Sequence, residues 1–533
     1  MTRRIVCVTL SLLLIQNAYA TIRRVPTEFS SIQSALSVVQ SNDTILLAPG
    51  HYIESISRDP FPTPLTISSN YLFTNDSSDI ASTRWSPDSL RCFQDIITNC
   101  KLTISGVAFT APISPVVGSG VFYGISDSVF FNNCHIQGIF DDQWGVSEGL
   151  IYIWNTPSYL EVNDCRFFGD SVGTRNVISV SNVPSKITRT IVRDRTDWRE
   201  TAFDLIGDAS IIQCQFFGNA PQINMRGNSL IDSCKFIGVG HWAIHISCSR
   251  GSPQDYQIIR DCTFMDVVST RFYPVIGVRS DTTRSGSTLF QRVEFLGGDG
   301  SNETCRSIIE SDHRVNLENC RFENITGFQC IASVYRVYVD SSDFVGNSSP
   351  IFARIDGFHR DSAYIHNSNF SDNTRIFTTI ATFAVFDSVY AQNCWWGDST
   401  GPRHVLNPNG LGDSLPAYVN PFPFRTTPVF PETGVREPIS NTYSLPNSIV
   451  LRAPFPNPFN NATMIRFSLP HPTDATIAVH DLTGREVATL ARGWLPTGNN
   501  FLIWNPNQLS SGSYFIRLSS PQGQVTRTIS YLK

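Results

Sequence analysis

The sequence predicts an all-β protein: a long coil of stacked parallel strands, then a small β-sandwich. Two observations predict the coil. A short cysteine-centred phrase recurs at Asn133-Cys134-His135-Ile136, Asp164-Cys165-Arg166-Phe167, Ser233-Cys234-Lys235-Phe236, Asp261-Cys262-Thr263-Phe264 and Asn319-Cys320-Arg321-Phe322, and a sequence with such internal repeats is an array. The spacing of the phrases is too irregular for a helical repeat and too short for a propeller blade. The sandwich is predicted by a change of texture after Pro446, where alternating strands are separated by Gly, Pro and Asn turns.

When residues the size of Val, Ser or Thr stand in for cysteine, the marker series runs Val107, Cys134, Cys165, Cys214, Cys234, Cys262, Val293, Cys320, Ser342, Ser368 and Cys394, with steps of 27, 31, 49, 20, 28, 31, 27, 22, 26 and 26 residues by subtraction. A coil of parallel strands tolerates corner loops of any size, so uneven steps fit it. Three places before each marker stands an uncharged, mostly apolar residue: Ile104, Phe131, Val162, Ile211, Ile231, Ile259, Phe290, Leu317, Val339, Ile365 and Ala391. Two places after it comes a second ladder: Phe109, Ile136, Phe167, Phe216, Phe236, Phe264, Phe295, Phe322, Phe344, Phe370 and Trp396. Period-two spacing puts marker and aromatic on one face of a strand, so successive coils stack like on like inside the tube.

The step of three between first ladder and marker breaks the alternation. Asn133, Asp164, Asp261, Asn319, Asn367 and Asn393 sit in that break and read as a turn. Four places after the marker stand Gly138, Gly169, Gly218, Gly238, Gly297 and Gly346, with Asp266, Asn324 and Asp372 elsewhere, a set that tolerates left-handed backbone. The chain therefore bends twice per phrase.

The chain has 533 residues, 41% hydrophobic and 16% charged, with a net charge of −5. That is enough apolar material for a long core and too little positive charge for nucleic acid. Arg3-Arg4, the apolar run Ile5 to Ile15 and Ala18-Tyr19-Ala20 form the three parts of a secretory signal peptide over residues 1–20. No later stretch is long and apolar enough to span a bilayer as a helix. Twelve cysteines follow Cys7, and seven occupy the inward marker slot, which reads as inert small-residue packing. Cys92 with Cys100 and Cys305 with Cys330 lie outside the ladder and are candidate disulfides in an oxidising compartment. No CxxC pair or compact Cys/His cluster points to metal.

The segment after the signal carries Val25-Pro26, Ser31-Ile32-Gln33, Asp43-Thr44 and Pro49-Gly50-His51-Tyr52, with a helix-like stretch at Ser31 to Gln40 and a strand at Thr44 to Ala48. In that order these resemble the amino-terminal cap of pectin-lyase-like right-handed parallel β-helix proteins. Such a cap covers the open end of the tube. Asn393-Cys394-Trp395-Trp396-Gly397 and Gly401-Pro402 resemble the closing segment of secreted β-helices. The β-helix is thus placed at 21–425 and a Pro-containing linker at 426–445. Residues 446–533 form the terminal Ig-like sandwich.

Within that sandwich stand Pro456-Asn457-Pro458-Phe459, Asp481-Leu482-Thr483-Gly484-Arg485-Glu486-Val487, Leu509-Ser510-Ser511-Gly512-Ser513-Tyr514-Phe515 and the final Lys533. They resemble the C-terminal sorting domain of type IX secretion cargo. The resemblance implies contact with the secretion machinery and a bacterial protein that is secreted or held at the outer cell surface.

Fold alone does not choose a function, so sites are read from residues. Asp141-Asp142 and Gly240-His241 imitate a polygalacturonase set, but 100 residues separate Asp141 from His241. That is about four coils of ~4.8 Å each, far beyond the carboxylate spacing of an inverting glycosidase. His241 and His245 stand about 13 Å apart along a strand, which suits a groove-facing polar strand better than a metal site. The outward slot between marker and aromatic, from His135 and Arg166 to Asp343 and Asn369, reads as a solvated face with weak ion pairs.

The double step from Cys165 to Cys214 holds the main candidate. A coil marked by Val192 restores steps of 27 and 22, but Arg189 and Asp194 then fall on ladder positions. Such local departures are where function or strain is expected. Arg193, Asp194, Asp197, Trp198, Arg199 and Glu200 are therefore the leading ligand-binding candidates, guanidinium groups and an indole suiting acidic sugars. A loop stapled by its own salt bridges is the competing reading. Asp141, Asp142 and Trp144 form a second candidate corner. Glu318 and Asp340, two places before neighbouring markers, are a two-ligand candidate for calcium, against a plain pair of exposed turn residues. No other cofactor is implied. The residues favour a glycan-binding or adhesive surface protein with a polysaccharide or cell-surface glycan as partner. The alternative is a polysaccharide lyase or glycoside hydrolase acting on acidic polysaccharide, for which no catalytic set assembles.

Overall fold

The structure, a computed structural model, describes residues 20–56, 63–89, 91–97, 101–110, 120–125, 128–138, 150–154, 159–169, 177–193, 202–218, 222–240, 243–247, 256–268, 274–279, 287–299, 307–311, 314–327, 329–333, 337–353, 363–374, 389–417, 419–429, 448–451, 454, 457, 459, 463–470, 473–495, 498–504, 506 and 509–532. The expected signal peptide lies outside them, apart from Ala20. The chain divides into two compact units, Met1–Glu432 and Thr433–Lys533.

The first unit is a right-handed parallel β-helix. Its described residues form three parallel sheets of 16, 13 and 11 strands, each strand pairing with its counterparts one coil before and one coil after. From Gly106 onward the first and second sheets are joined by a corner of two residues that repeats coil after coil. Its first residue is left-handed in every case, with φ between 47° and 56° at Asn133, Asp164, Arg189, Gln213, Ser233, Asp261, Arg292, Asn319, Ser341, Asn367 and Asn393. Left-handed backbone strains a non-glycine residue, least so Asn and Asp. Here it is held by the corner N–H, which donates to the next coil, as from Asn133 to Asn163 O at 2.9 Å and from Gln213 to Asp232 O at 2.8 Å.

The second corner residue is the marker, and its chemistry is more specific than small-residue packing. Each thiol or hydroxyl donates to the carbonyl two residues earlier, from Cys262 Sγ to Arg260 O at 3.1 Å and from Ser368 Oγ to His366 O at 2.8 Å. Several also accept the N–H of the preceding marker, as Cys234 Sγ does from Cys214 at 3.4 Å and Ser342 Oγ from Cys320 at 3.1 Å. Cysteine, serine and threonine interchange because each is small and both donates and accepts, while Val107 and Val293 fill the same slot by size alone. The buried thiols are unreactive, those of Cys320 and Cys394 being pushed up to about 12 by burial. Cys92 and Cys330 are buried free thiols, while Cys100 and Cys305 lie outside the described residues.

This corner corrects the double step. Thr190, not Val192, is the missing marker: its Oγ1 donates to Thr188 O at 3.0 Å, and the steps become 25 and 24 by subtraction from Cys165 and Cys214. Ile187 and Val192 then fill the two ladders, both buried. Arg189 is the corner residue, bound to Asp164 through Nε at 2.7 Å and a terminal nitrogen at 2.6 Å. A marker at Val192 instead of Thr190 shifts both ladders by two residues, and that makes a regular coil look broken.

The aromatic ladder is the axis of the core. From Phe216 through Phe236, Phe264, Phe295, Phe322, Phe344 and Phe370 to Trp396 the rings stack at 4.5–4.9 Å and within 16° of parallel. Parallel in-register strands force this geometry, because residues at one position repeat at the interstrand spacing. The outward slot beside it is solvated only in part. Asp343 and Asn369 are buried, joined at 2.8 Å, and Asn369 Oδ1 accepts from the Val429 N–H.

Both ends are closed. At the start, the helix Ile32–Leu36 is shorter than the helix-like stretch in the sequence. Ser31 caps it, and Glu54 takes the free N–H groups of Ile32 and Gln33 at 2.9 and 3.0 Å. Asp43 accepts from Thr21 N, Gln40 N and Arg23 Nε. At the far end a second internal ladder appears. Asn347 and Asn373 donate to Phe322 O and Phe344 O at 2.9 and 2.8 Å, and each accepts an N–H from the preceding coil.

Asp413 ends this ladder, accepting from Asn373 Nδ2 at 3.0 Å. Burial raises its pKa to about 6 against the two Asn373 hydrogen bonds, and the Asp372 charge adds to the rise. Its folded pKa lies above the unfolded value, so the native state holds an extra proton between about pH 4 and 6. Stability contributed by the neutral carboxyl is full below about pH 4 and lost as pH rises through 6. Asp413→Asn, which continues the ladder with amide chemistry, is expected to remove that decline and to raise the melting temperature at pH 7. Melting curves of both proteins from pH 3.5 to 7.5 check this, and an unchanged pH slope in Asp413→Asn refutes it.

The second unit is an antiparallel sandwich of a three-stranded and a four-stranded sheet over a core of Ile465, Phe467, Ile477, Val479, Trp504, Ile516 and Leu518.

Candidate functional site

The third sheet is the one that the chain's most uneven connections enter and leave. Residues 139–150, 170–177, 194–202 and 269–275 lead into this sheet and 248–255 and 280–286 lead out, whereas from Gly106 onward the corner between the first two sheets stays at two residues. Variable loops beside a rigid sheet are the usual setting of a binding site.

The strands there are Phe203–Ile206, Ile223–Arg226, Ile244–Ser247, Ile276–Arg279 and Ser307–Ser311. Phe203 with Leu205, Ile223 with Met225, and Ile244 with Ile246 are fully buried, so alternation sends Asp204, Asn224 and His245 outward. These three are register partners on successive coils. They form a directed relay: His245 Nδ1 bonds Asn224 Oδ1 at 2.9 Å, and Asn224 Nδ2 donates to Asp204 Oδ1 at 2.7 Å. An amide oxygen only accepts, so the His245 proton sits on Nδ1.

Burial, helped by the Arg279 and Arg226 charges, lowers His245 to about 4, so the imidazole is neutral at physiological pH. Burial likewise raises Asp204, against the Asn224 hydrogen bond and the Arg226 charge. Arg226, Ser247 and Arg279 occupy the next outward column. The two guanidinium-bearing rungs are thus about 10 Å apart at ~4.8 Å per coil. Arg279 also pairs with Glu310 at 2.8 Å. Asp204 and Glu310 are four rungs apart, about 19 Å, which exceeds the carboxylate spacing of glycoside hydrolysis.

Of the arginine-rich candidate cluster, only Arg193 lies among the described residues; Asp194, Asp197, Trp198, Arg199 and Glu200 lie outside them. Arg193 is the exposed end of the strand Ile191–Arg193 in the second sheet, its guanidinium carbon 4.5 Å from the Phe217 ring centroid. Asp141, Asp142, Trp144 and His241 also lie outside the described residues. The connections that carry both loop candidates lead from the second sheet into the third.

Glu318 and Asp340 are register partners at strand ends, not turn residues. Glu318 is buried and accepts from Gln291 Nε2 at 3.2 Å, while Asp340 accepts from Asn367 Nδ2 at 3.0 Å and from Ser341 Oγ at 3.2 Å. Among the described residues no group of three or more His, Cys, Asp or Glu is arranged to hold a metal ion.

The relay was legible only in part. His245 reads as a groove-facing polar residue from spacing, but Asp204 and Asn224 carry no signal until the register places them beside it.

In the sandwich, the motif residues fall into place. Asn457 Oδ1 accepts from Ser530 N at 2.8 Å and its Nδ2 donates to Thr528 O at 3.2 Å, while Phe459 N donates to Ser530 O at 3.0 Å. The Asn-Pro-Phe segment thereby covers the edge of the last strand, Gly523–Tyr531. Phe459 packs on Trp504 and Tyr531, and Tyr514 donates to Ser510 O at 2.7 Å. Residues 453–531 match the family model described as a secretion system C-terminal sorting domain. The terminal unit is such a sorting domain. It makes the protein a cargo of type IX secretion, released from a bacterial cell or held at its outer surface.

Among curated proteins none matches this chain. Solved structures similar to it include the enzymatically active domain of tailspike protein 4 of bacteriophage CBA120, at 11% identity over 81% of this chain and 62% of that one, with a TM-score of 0.28. The tailspike of Acinetobacter phage vB_ApiP_P1 is also 11% identical, over 80% and 72%, with a TM-score of 0.27. The tailspike gp49 of Acinetobacter baumannii bacteriophage Fri1, a capsular polysaccharide depolymerase, is 11% identical over 96% and 77%, with a TM-score of 0.21. The chain spans less than two thirds of the first of these, and at such scores the activities of the tailspikes stay with the tailspikes.

Proposed function

We propose that the β-helix is a glycan-binding unit displayed outside the cell, with the outer face of its third sheet as the binding surface. One observation carries the reading: polar side chains with fixed hydrogen-bond directions, Asp204, Asn224 and His245, repeat at the coil spacing beside the Arg226 and Arg279 column. An extended polysaccharide presents hydroxyl and carboxylate groups at a comparable repeat. Neutral donors and acceptors suit sugar hydroxyls, and two cations add a preference for uronates or sulfated sugars.

A glycan array with the purified full-length protein is expected to show binding to extended acidic polysaccharides. Arg226→Ala with Arg279→Ala is expected to weaken that binding by about tenfold or more at low salt, as for lost charge-assisted contacts. The absence of any polysaccharide binding by the unaltered protein refutes the reading. Unsaturated-uronate absorbance or new reducing ends in the same samples would move it from binding to catalysis.

A further inference from the structure

The sorting domain carries one feature that its own fold does not use. The strands Thr473–His480 and Glu486–Leu495 are joined by the turn at 481–485. There the Asp481 carboxylate accepts from Thr483 N at 3.0 Å, Thr483 Oγ1 at 2.6 Å, Arg485 N at 3.1 Å and Arg485 Nε at 3.0 Å. The main chain closes the same turn, with Gly484 N donating to Asp481 O at 3.0 Å and Asp481 N to Arg485 O at 2.9 Å. Gly484 sits at φ +85°, which a side chain would resist.

Six hydrogen bonds therefore order five residues at the surface, and the result is the projection of Leu482, 68% exposed, beside Arg485, whose side chain is 78% exposed. Single exposed leucines are ordinary on protein surfaces. This one differs because its backbone is held in advance, which removes the ordering cost that a flexible anchor meets on binding. Among the described residues of the other sorting-domain motifs, Asn457 is tied to the last strand, Phe459 lies in the core and Tyr514 bonds Ser510. A domain whose task is to be recognised must present something outward.

We propose that the turn Asp481–Arg485 is the docking element of the sorting domain, with Leu482 entering an apolar pocket of the export machinery and Arg485 meeting acidic groups at the pocket rim. An apolar anchor in a desolvated pocket supplies affinity, and the rim charge supplies orientation and encounter rate. Asp481 is a positioning residue in this scheme.

The test uses the full chain in a bacterium with type IX export, comparing the extracellular and surface share with the share retained in the periplasm. Leu482→Asp is expected to cut export by about tenfold or more, and Leu482→Ala or Arg485→Glu by several-fold. Leu532→Asp serves as the control: Leu532 is 55% exposed in the same domain, and its variant is expected to be exported within about twofold of the unaltered protein. The purified Leu482→Ala protein is expected to melt with the parent, since that side chain is exposed; Arg485→Glu also removes the Nε bond to Asp481, so should it or Leu482→Asp lose structure, Leu482→Ala decides. Normal export of Leu482→Ala and Arg485→Glu overturns the proposal. So does an equal loss of export in Leu532→Asp, which would mean that general surface hydrophobicity is read instead of this turn.

Discussion

Phe264→Ala is expected to destabilise the β-helix by about 3–5 kcal/mol, the range for removing a fully buried aromatic ring. Phe264 is the middle of the stack, 4.5 Å from Phe236 and 4.8 Å from Phe295 with near-parallel rings, and it is fully buried. Two ring contacts vanish at once, and the strands on either side are hydrogen-bonded in register, so the cavity cannot close by sliding. Each coil touches only its neighbours, and the loss is therefore local. Hydrogen exchange is expected to accelerate in the strands that carry Phe236, Phe264 and Phe295 and to stay unchanged near Trp85. Phe264→Leu, which keeps much of the volume, is expected to lose less than half as much. Urea unfolding with exchange read-out measures both, and a Phe264→Ala loss below about 1 kcal/mol would contradict a core built on this ladder.

The second large effect concerns two strand ends in the middle of the first sheet. Arg260 is buried, and its Nε and one terminal nitrogen reach Asp232 Oδ2 at 2.9 and 2.6 Å. Deleting one partner of a buried ion pair takes the counter-charge from the other, at a cost of about 3–5 kcal/mol. Asp232→Ala is expected to fall in that range. The double variant Asp232→Leu with Arg260→Met is expected to recover most of the loss, because neither hydrophobic replacement needs a partner. A double-mutant cycle by chemical unfolding tests this. If Asp232→Ala is neutral, the pair is not the buried contact described. The exposed pair Arg24 with Glu28 serves as a contrast, where Glu28→Gln is expected to change stability by less than about 0.5 kcal/mol.

The core was legible because its signal is redundant. Cys134, Cys165 and Cys262 each announce an apolar residue three places before and another two places after, and all of these are buried. A two-residue corner keeps those offsets constant from coil to coil. The reading failed at Thr190 because Val192, two places on, is also a residue of marker size, and size alone does not show which of the two turns the corner; the Thr190 hydroxyl bond to Thr188 O does. Arg189 then looked like an intruder in the core, when it is a corner residue paired with Asp164.

The outward residues were harder to read. Glu318 and Asp340 were identified as neighbours because both sit at a fixed offset from a marker, and the register confirms that adjacency. Their burial and hydrogen bonds were not readable, since whether an outward side chain is covered depends on segments elsewhere in the chain.

What the sequence determined by itself is the inside of this protein and the identity of its terminal domain. Inward positions recur at constant distance from an invariant corner, and the sorting motifs are local strings. What only the tertiary structure decided is the composition of the outer face of the third sheet. Asp204, Asn224 and His245 lie 20 and 21 residues apart along the chain, while the register partners Ile67 and Ile104 are separated by 37. Loops of unequal length divorce sequence distance from rung number, so residues that share a face become neighbours only when parallel hydrogen bonding sets the register of every coil against the next.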